Sequence, residues 1–204
     1  MRKYEFTGET KVYEGRTLNR IRRIEDGLIG GWIETEKNLS HSGGCFVYDE
    51  SMVYENARVM DNAEVRGNAQ VYGKATIREY SQVYGNAEIY DEALICGYAQ
   101  VHENAKVCGN AEVFQYASIF GEALISDEAK VYGFSNVYNC AQITEEAKVF
   151  DFSCINGAYI SGSVEVCGNA CIYEDKFIYG EGELKGVMYS NLTHDKTVMI
   201  GTSL

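Results

Sequence analysis

The 204-residue chain has no proline. Stacked strands need every backbone N–H for their ladders, and proline offers none. Histidine is nearly absent as well, with only His41, His102 and His194. Three scattered imidazoles argue against a γ-type carbonic anhydrase centre, which needs three converging on one metal. The seven cysteines include no Cys-x-x-Cys pair and no zinc spacing, so neither a metal nor a disulfide framework is expected. No leader-like segment and no apolar run of membrane-spanning length occurs. The expected setting is a reducing cytoplasm with free thiols and no membrane contact. Basic residues are also short, 18 against 30 acidic, for a net charge of −12. The deficit is uneven: residues 1–31 hold seven Lys/Arg against five Asp/Glu and the remainder eleven against twenty-five, that is about +2 and −14. Such a surface repels nucleic acid and anionic lipid, so direct binding to either is not expected. No phosphate-cradling glycine loop or nucleophile motif appears, and no catalytic residue or cofactor is assigned.

What fills the chain is a six-residue period from Cys45 to Phe152. It reads VRGNAQ, VYGKAT, IREYSQ, VYGNAE, IYDEAL, ICGYAQ, VHENAK, VCGNAE, VFQYAS, IFGEAL. Val or Ile recurs every sixth residue from Val59 to Val149, with Ala or Ser two residues before it, as at Ala63, Ala69, Ala75 and Ser81. The alternation places the small and the branched residue on one face of a short strand, and Gly, Asn, Asp and Glu fill the corners. A period this strict outranks local propensity.

These hexads resemble the hexapeptide repeat of left-handed parallel β-helices. The resemblance implies three hexads per triangular coil, the branched residue inside, the small residue at the corner, and a left hand against the usual crossover rule. The expected fold is therefore all-β, a triangular solenoid of about nine coils counted from Ile33, roughly 40 Å long. Three segments are expected: a β cap at 1–31, the β-helix at 32–187 and a C-terminal cap at 188–204. In the first, Lys3–Phe6 and Thr17–Ile24 alternate like strands about a turn near Tyr13-Glu14-Gly15. Arg20, Arg22 and Arg23 form either an anion site or a solvated strand face. Ile33, Leu39 and Val47 belong to the first coil, with two extra residues at 41–44. One later unit is a residue short, Ile155 being followed by Ile160, and the corner near Asn156-Gly157 must absorb the loss. Beyond Gly186 the pattern dissolves, and the run Val198-Met199-Ile200 is expected to close the far end. The string GGWIE…NLS…C.VYD over residues 30–49 is similar to the start of YdcK-like proteins. That similarity implies a phage or prophage lineage and offers no catalytic residues.

Residues eighteen apart become stacked neighbours. One corner then reads Tyr80, Tyr98, Tyr116, Phe134, Phe152, with Phe114, Tyr132 and Phe150 beside it and a column of Tyr84, His102, Phe120 and Tyr138 on the next face. Such rings either stabilise the solenoid by stacking or form an apolar interface. A second corner reads Asp91-Glu92, Asn110, Asp127-Glu128, Glu145-Glu146. Like charges in register cost stability, and this edge is either solvated or receives a cation or a row of Lys/Arg. The third corner holds Asn68, Asn86 and Asn104, suited to a left-handed backbone, followed by Glu122. Cys154 and Cys171 fall on adjacent rungs within disulfide reach, and two thiols are expected there.

The function expected is non-enzymatic protein binding through the aromatic patch (Tyr98, Phe114, Tyr116, Phe120, Tyr132, Phe134, Tyr138, Phe150, Phe152) and the acidic edge (Asp91, Glu92, Asp127, Glu128, Glu145, Glu146). The partner is a host protein, with an anti-CRISPR-like inhibitor of host defence in view, and the chain itself is expected to form a homodimer. The alternatives are a hexapeptide-repeat acyltransferase, which would use a histidine base between subunits, and an acidic nucleic-acid mimic. An ice-binding face would need a Thr-x-Thr array, which the chain lacks.

Overall fold

The structure, a computed structural model, describes residues 2–173, 176–186, 188–189 and 197–200. Among these, the only helix is one 3₁₀ turn, Glu36–Asn38. From Phe46 to Val149 the chain advances in short strands, nearly all of two residues, such as Glu64–Val65 and Gln82–Val83. Each strand points its second residue inward and its first outward, the period-two rule of an extended backbone. The partner of each strand lies one coil further on, as Val65 pairs with Val83 and Val83 with Val101. The result is a parallel β-solenoid of about eight turns with three ladders. The first carries Val53, Val71 and Ile89 inside, the second Val59, Ile77 and Ile95, the third Val65, Val83 and Val101. These side chains and the intervening alanines are buried in one continuous core. Where serine replaces alanine, at Ser81, Ser135 and Ser153, the hydroxyl donates at 2.7 Å to the carbonyl three residues back. That bond removes the cost of burying it.

The irregularities sit where the sequence breaks step. Ile33 pairs with Val53, Leu39 with Val59 and Val47 with Val65, so the extra residues fall between Leu39 and Val47 as expected. Gly30 and Gly31 meet the coil so closely that a Cβ on them would approach Val47 O at 2.6 Å and Ser51 O at 2.5 Å. At the short unit Ile143 pairs with Ile160, one residue less than a full coil. Gly157 takes up the difference with φ 70°, and its N–H bonds the Tyr138 carbonyl at 3.2 Å. The strand Phe177–Lys185 then runs unbroken across a corner and pairs with both the first and the second ladder. Beyond Gly186 the hexad ends but the pairing continues: Met188–Tyr189 follow Cys171–Ile172, and Thr197–Ile200 follow Phe177–Gly180. The run Val198-Met199-Ile200, expected to close the far end, is thus paired with the preceding coil. The rest of the expected C-terminal cap lies outside the described residues.

At the other end, β1 (Tyr4–Tyr13) and β2 (Arg16–Arg23) form an antiparallel hairpin. Its turn is Glu14-Gly15, with φ 48° and 76°, the paired left-handed conformation that two-residue hairpins favour. β2 pairs antiparallel with β3 (Ile29–Ile33), and β3 pairs parallel with Met52–Val53. The cap is thus hydrogen-bonded into the first ladder. Tyr4 and Ile21 belong to the main core, whereas Leu18 and Tyr13 join a second cluster with Trp32, Met52, Tyr54 and Tyr72 on the outer face of that ladder. The three arginines are engaged: Arg20 with Glu50 at 2.6 Å, Arg22 with Glu5, and Arg23 with Asp26 at 2.6 Å. These pairs occupy the guanidinium groups of the cap.

Candidate functional site: an aromatic corner

The corner that links the second ladder to the third follows a two-position rule. Its first residue is left-handed: Glu79 (φ 62°), Gly97 (69°), Gln115 (59°), Gly133 (74°) and Asp151 (59°). Its second residue is the ring. The backbone N–H of each ring residue bonds the left-handed carbonyl on the next rung, as Tyr116 to Gly133 at 2.9 Å and Phe152 to Gly168 at 2.8 Å. The backbone therefore holds the rings at rung spacing. Tyr80, Tyr98, Tyr116, Phe134 and Phe152 stack with centroids 4.8–5.2 Å apart and planes within 7°. Each is 51–62% exposed, so stacking covers the faces and leaves the edges in water.

On the adjoining face Phe114, Tyr132 and Phe150 stack at 4.7 and 4.9 Å and are half-buried. The two columns together make the ridge expected from the eighteen-residue register. On the third ladder Tyr84, His102, Phe120 and Tyr138 stack at 4.6, 5.1 and 4.9 Å. Burial in this column, partly opposed by the Glu103 carboxylate, lowers the His102 pKa. A fourth column, Tyr54, Tyr72 and Tyr90 at 5.1 Å, lies partly under the hairpin, whose Tyr13 meets Tyr54 edge-on at 5.8 Å. Sequence reasoning did not single it out, although its spacing is also eighteen. Burial pushes the Tyr72 hydroxyl up to about 12.

The acidic corner, between the first and second ladders, is built by the same rule. Asp91 (φ 57°), Gly109 (67°), Asp127 (59°) and Glu145 (58°) are its left-handed residues. Their carboxylates accept backbone N–H groups from the next rung: Asp91 from Gly109 at 3.1 Å, Asp127 from Glu145 at 3.1 Å, Glu145 from Gly162 at 2.7 Å. Glu92 pairs with Lys74 at 2.6 Å, and Glu146 accepts from the Ser163 hydroxyl at 3.2 Å. Glu128 donates its backbone N–H to the Glu145 carbonyl at 2.9 Å. Like charges are not in register on every rung, since Gly109 separates Asp91 from Asp127, and the backbone N–H bonds to the carboxylates oppose the repulsion expected of this column. At the third corner the left-handed residues are Gly67, Gly85 and Glu103. Asn68, Asn86 and Asn104 follow them and link their amides in a chain at 3.2 and 3.0 Å, so their role is side-chain pairing and not the backbone one expected.

Elements of acid–base or metal chemistry are dispersed. His41 stacks on Tyr4 at 4.3 Å and accepts the Lys3 N–H at 3.3 Å, in the bend before the third ladder and far in sequence from His102; His194 lies outside the described residues. Among the described residues no three His, Cys, Asp or Glu side chains are grouped to hold a metal, and no helix is long and apolar enough to cross a membrane. Cys154 and Cys171 are in-register neighbours and both are free thiols. No family model matches the chain, and a search of curated proteins finds no match. The site is therefore defined by its geometry: one corner of exposed ring edges, one of carboxylates, one of amides.

Proposed function

We propose that this chain is a non-enzymatic, protein-binding solenoid whose aromatic corner inserts into a groove of a partner protein. The observation that carries the reading is the row of five rings, each at least half exposed, along a single convex edge. Held by backbone pairing, these side chains lose little freedom on binding, and aromatic anchors of this kind dominate the energetics of interfaces. Corner carboxylates give the same molecule an acidic flank for a basic rim on the partner. In lineage the chain is a hexapeptide-repeat left-handed β-helix most like the YdcK-like phage and prophage proteins. Its partner is then a bacterial host protein of the defence apparatus, and the chain works as a homodimer in the cytoplasm.

Affinity capture from a bacterial host lysate tests this reading, with the wild-type chain compared with a Tyr98→Ser/Phe134→Ser variant. The expected result is one protein retained by the wild type and lost by the variant, while both give the same far-UV spectrum. Equal retention by the two would remove the aromatic corner from the function.

A further inference from the structure

We propose that two copies of this chain pair through the outward face of the second ladder, antiparallel, about a two-fold axis lying across that face between the rungs of Phe114 and Tyr132. The inference rests on the homodimer reading and supplies its face and register.

Flatness comes first. The stacked rings on this face depart from parallel by only 6° and 1°, so the strip that they form is flat. An untwisted strip can lie against a copy of itself along its full length, and a two-fold contact requires that self-complementarity. The half-buried strip Cys96, Phe114, Tyr132, Phe150 runs down its middle.

Charge selects the occupant and the direction. The chain as a whole is at −12, so a second copy is repelled from the acidic corners. The second-ladder face is different. Arg58 and Arg78 stand exposed at its N-terminal end, and neither has an ion pair among the described residues. Its centre is internally compensated by Glu112 with Lys130 and Glu165 with Lys148, each at 2.8 Å. Glu183 is exposed at its C-terminal end, where it accepts from the Cys167 thiol at 2.9 Å and lies 3.9 Å from Lys185. Unpaired cations thus stand at one end of the face and the Glu183 carboxylate, beside Lys185, at the other.

A two-fold axis across the face keeps each outward column opposite itself and reverses the order of rungs. Arg58 then faces Glu183 of the second copy, Glu112 faces Lys130, and in the adjoining column Phe114 faces Tyr132. A two-fold axis along the solenoid would instead set every rung against itself and exchange the sides of the columns, so that Arg58 would not meet Glu183 nor Glu112 meet Lys130, and that charge complementarity would be lost. Because the columns keep their side, the antiparallel pair also brings the two aromatic corners to the same rim of the dimer. The edges proposed to bind the partner are left open there.

Sedimentation equilibrium of the full chain tests this. Wild type should have twice the 22.8 kDa chain mass. Arg58→Glu and Glu183→Arg should each weaken dimerisation by about tenfold or more, and the two together should restore it to within about threefold. Far-UV spectra should not change, since both side chains are exposed. A monomeric wild type at tens of micromolar would overturn both the homodimer reading and this one. A dimer indifferent to both single reversals would overturn the face while leaving a homodimer standing. Weakening without rescue in the double variant would overturn the antiparallel register.

Discussion

The aromatic and the acidic corners differ in what they present, yet the backbone makes them in the same way. Each turns at a left-handed residue, and each mixes residues whose side chain reaches the next rung with glycines that have no room for one. Gly97 at the aromatic corner and Gly109 at the acidic corner would each place a Cβ 2.7 Å from a backbone nitrogen of the next rung. Gln115 at the first and Asp91 at the second both accept a glycine N–H from the rung above, at 2.8 and 3.1 Å. The corners diverge only at the following position, which is a ring in one and Lys74, Glu92, Asn110 or Glu128 in the other. The lesson is that the first corner position belongs to folding and the second is free to carry function. This solenoid therefore varies its surface without touching its turns.

The largest effect should come from the core that both corners share. Ile95→Asp would place an unpaired charge among fully buried Val and Ile, at a cost that exceeds the stability of a typical domain in this size range. The expected outcome is an unfolded or insoluble chain by circular dichroism, and a soluble, cooperatively melting variant would break the inward register. Next, Gly97→Val and Gly109→Val should each destabilise by about 2–4 kcal/mol, because a β-branched residue is forced left-handed against the next rung. Equal losses at the two positions in urea titrations would support the common rule, and a loss at one corner alone would break it.

Tyr116→Ser separates the second position from the first. It breaks two stacked pairs, at 5.1 and 4.8 Å, and should cost about 1–2 kcal/mol, since each such pair contributes about 0.5–1.5 kcal/mol and this one is half in water. Partner capture should fall far more than the melting temperature does. Removing the carboxylate or amide acceptor, by Asp91→Ala or Gln115→Ala, should cost about 1 kcal/mol at either corner, with Asp91→Asn close to wild type because the amide oxygen still accepts. A capture assay unchanged by Gln115→Ala would sharpen the division between the two positions.

The smallest expected effect is on pH. His102 has its pKa lowered below the ordinary 6.5, chiefly by burial between Tyr84 and Phe120. The unfolded chain therefore takes up a proton at higher pH than the folded one. The neutral imidazole's contribution is fully present above pH 6.5 and is lost as pH falls through the lower folded value. Melting of His102→Phe should lack that portion of the acid-side decline, and an identical pH profile would place the imidazole in a solvent-like setting.

Much of this architecture is legible in the chain. The inward Val and Ile positions, the two extra residues between Leu39 and Val47, the short unit after Ile155 and the turn at Glu14-Gly15 are written in spacing and residue type. So are the ring columns, once residues eighteen apart are aligned. At the acidic corner a column of Asp and Glu looks repulsive along the chain, and the backbone N–H donors that its carboxylates meet appear only when the next rung is in place. The asparagine column was assigned to the wrong atoms for the same reason: Gly85 and its neighbour Asn86 are equally good candidates for the left-handed position until the rung above decides between them.

By itself the sequence determined the solenoid, because a branched residue every sixth position leaves only one way to bury all of them together. It also determined which side chains share a corner. Tertiary structure alone decided what those side chains do. The hairpin bends over Trp32 and Tyr54 because Leu18 and Tyr13 find an apolar face there, a contact between segments with no common period. The strand Phe177–Lys185 crosses a corner because two ladders offer it partners at once. The Asp91 carboxylate serves Gly109 because coiling brings that N–H within 3.1 Å. Each of these depends on atoms distant along the chain and adjacent in space, and a repeat read one unit at a time does not contain them.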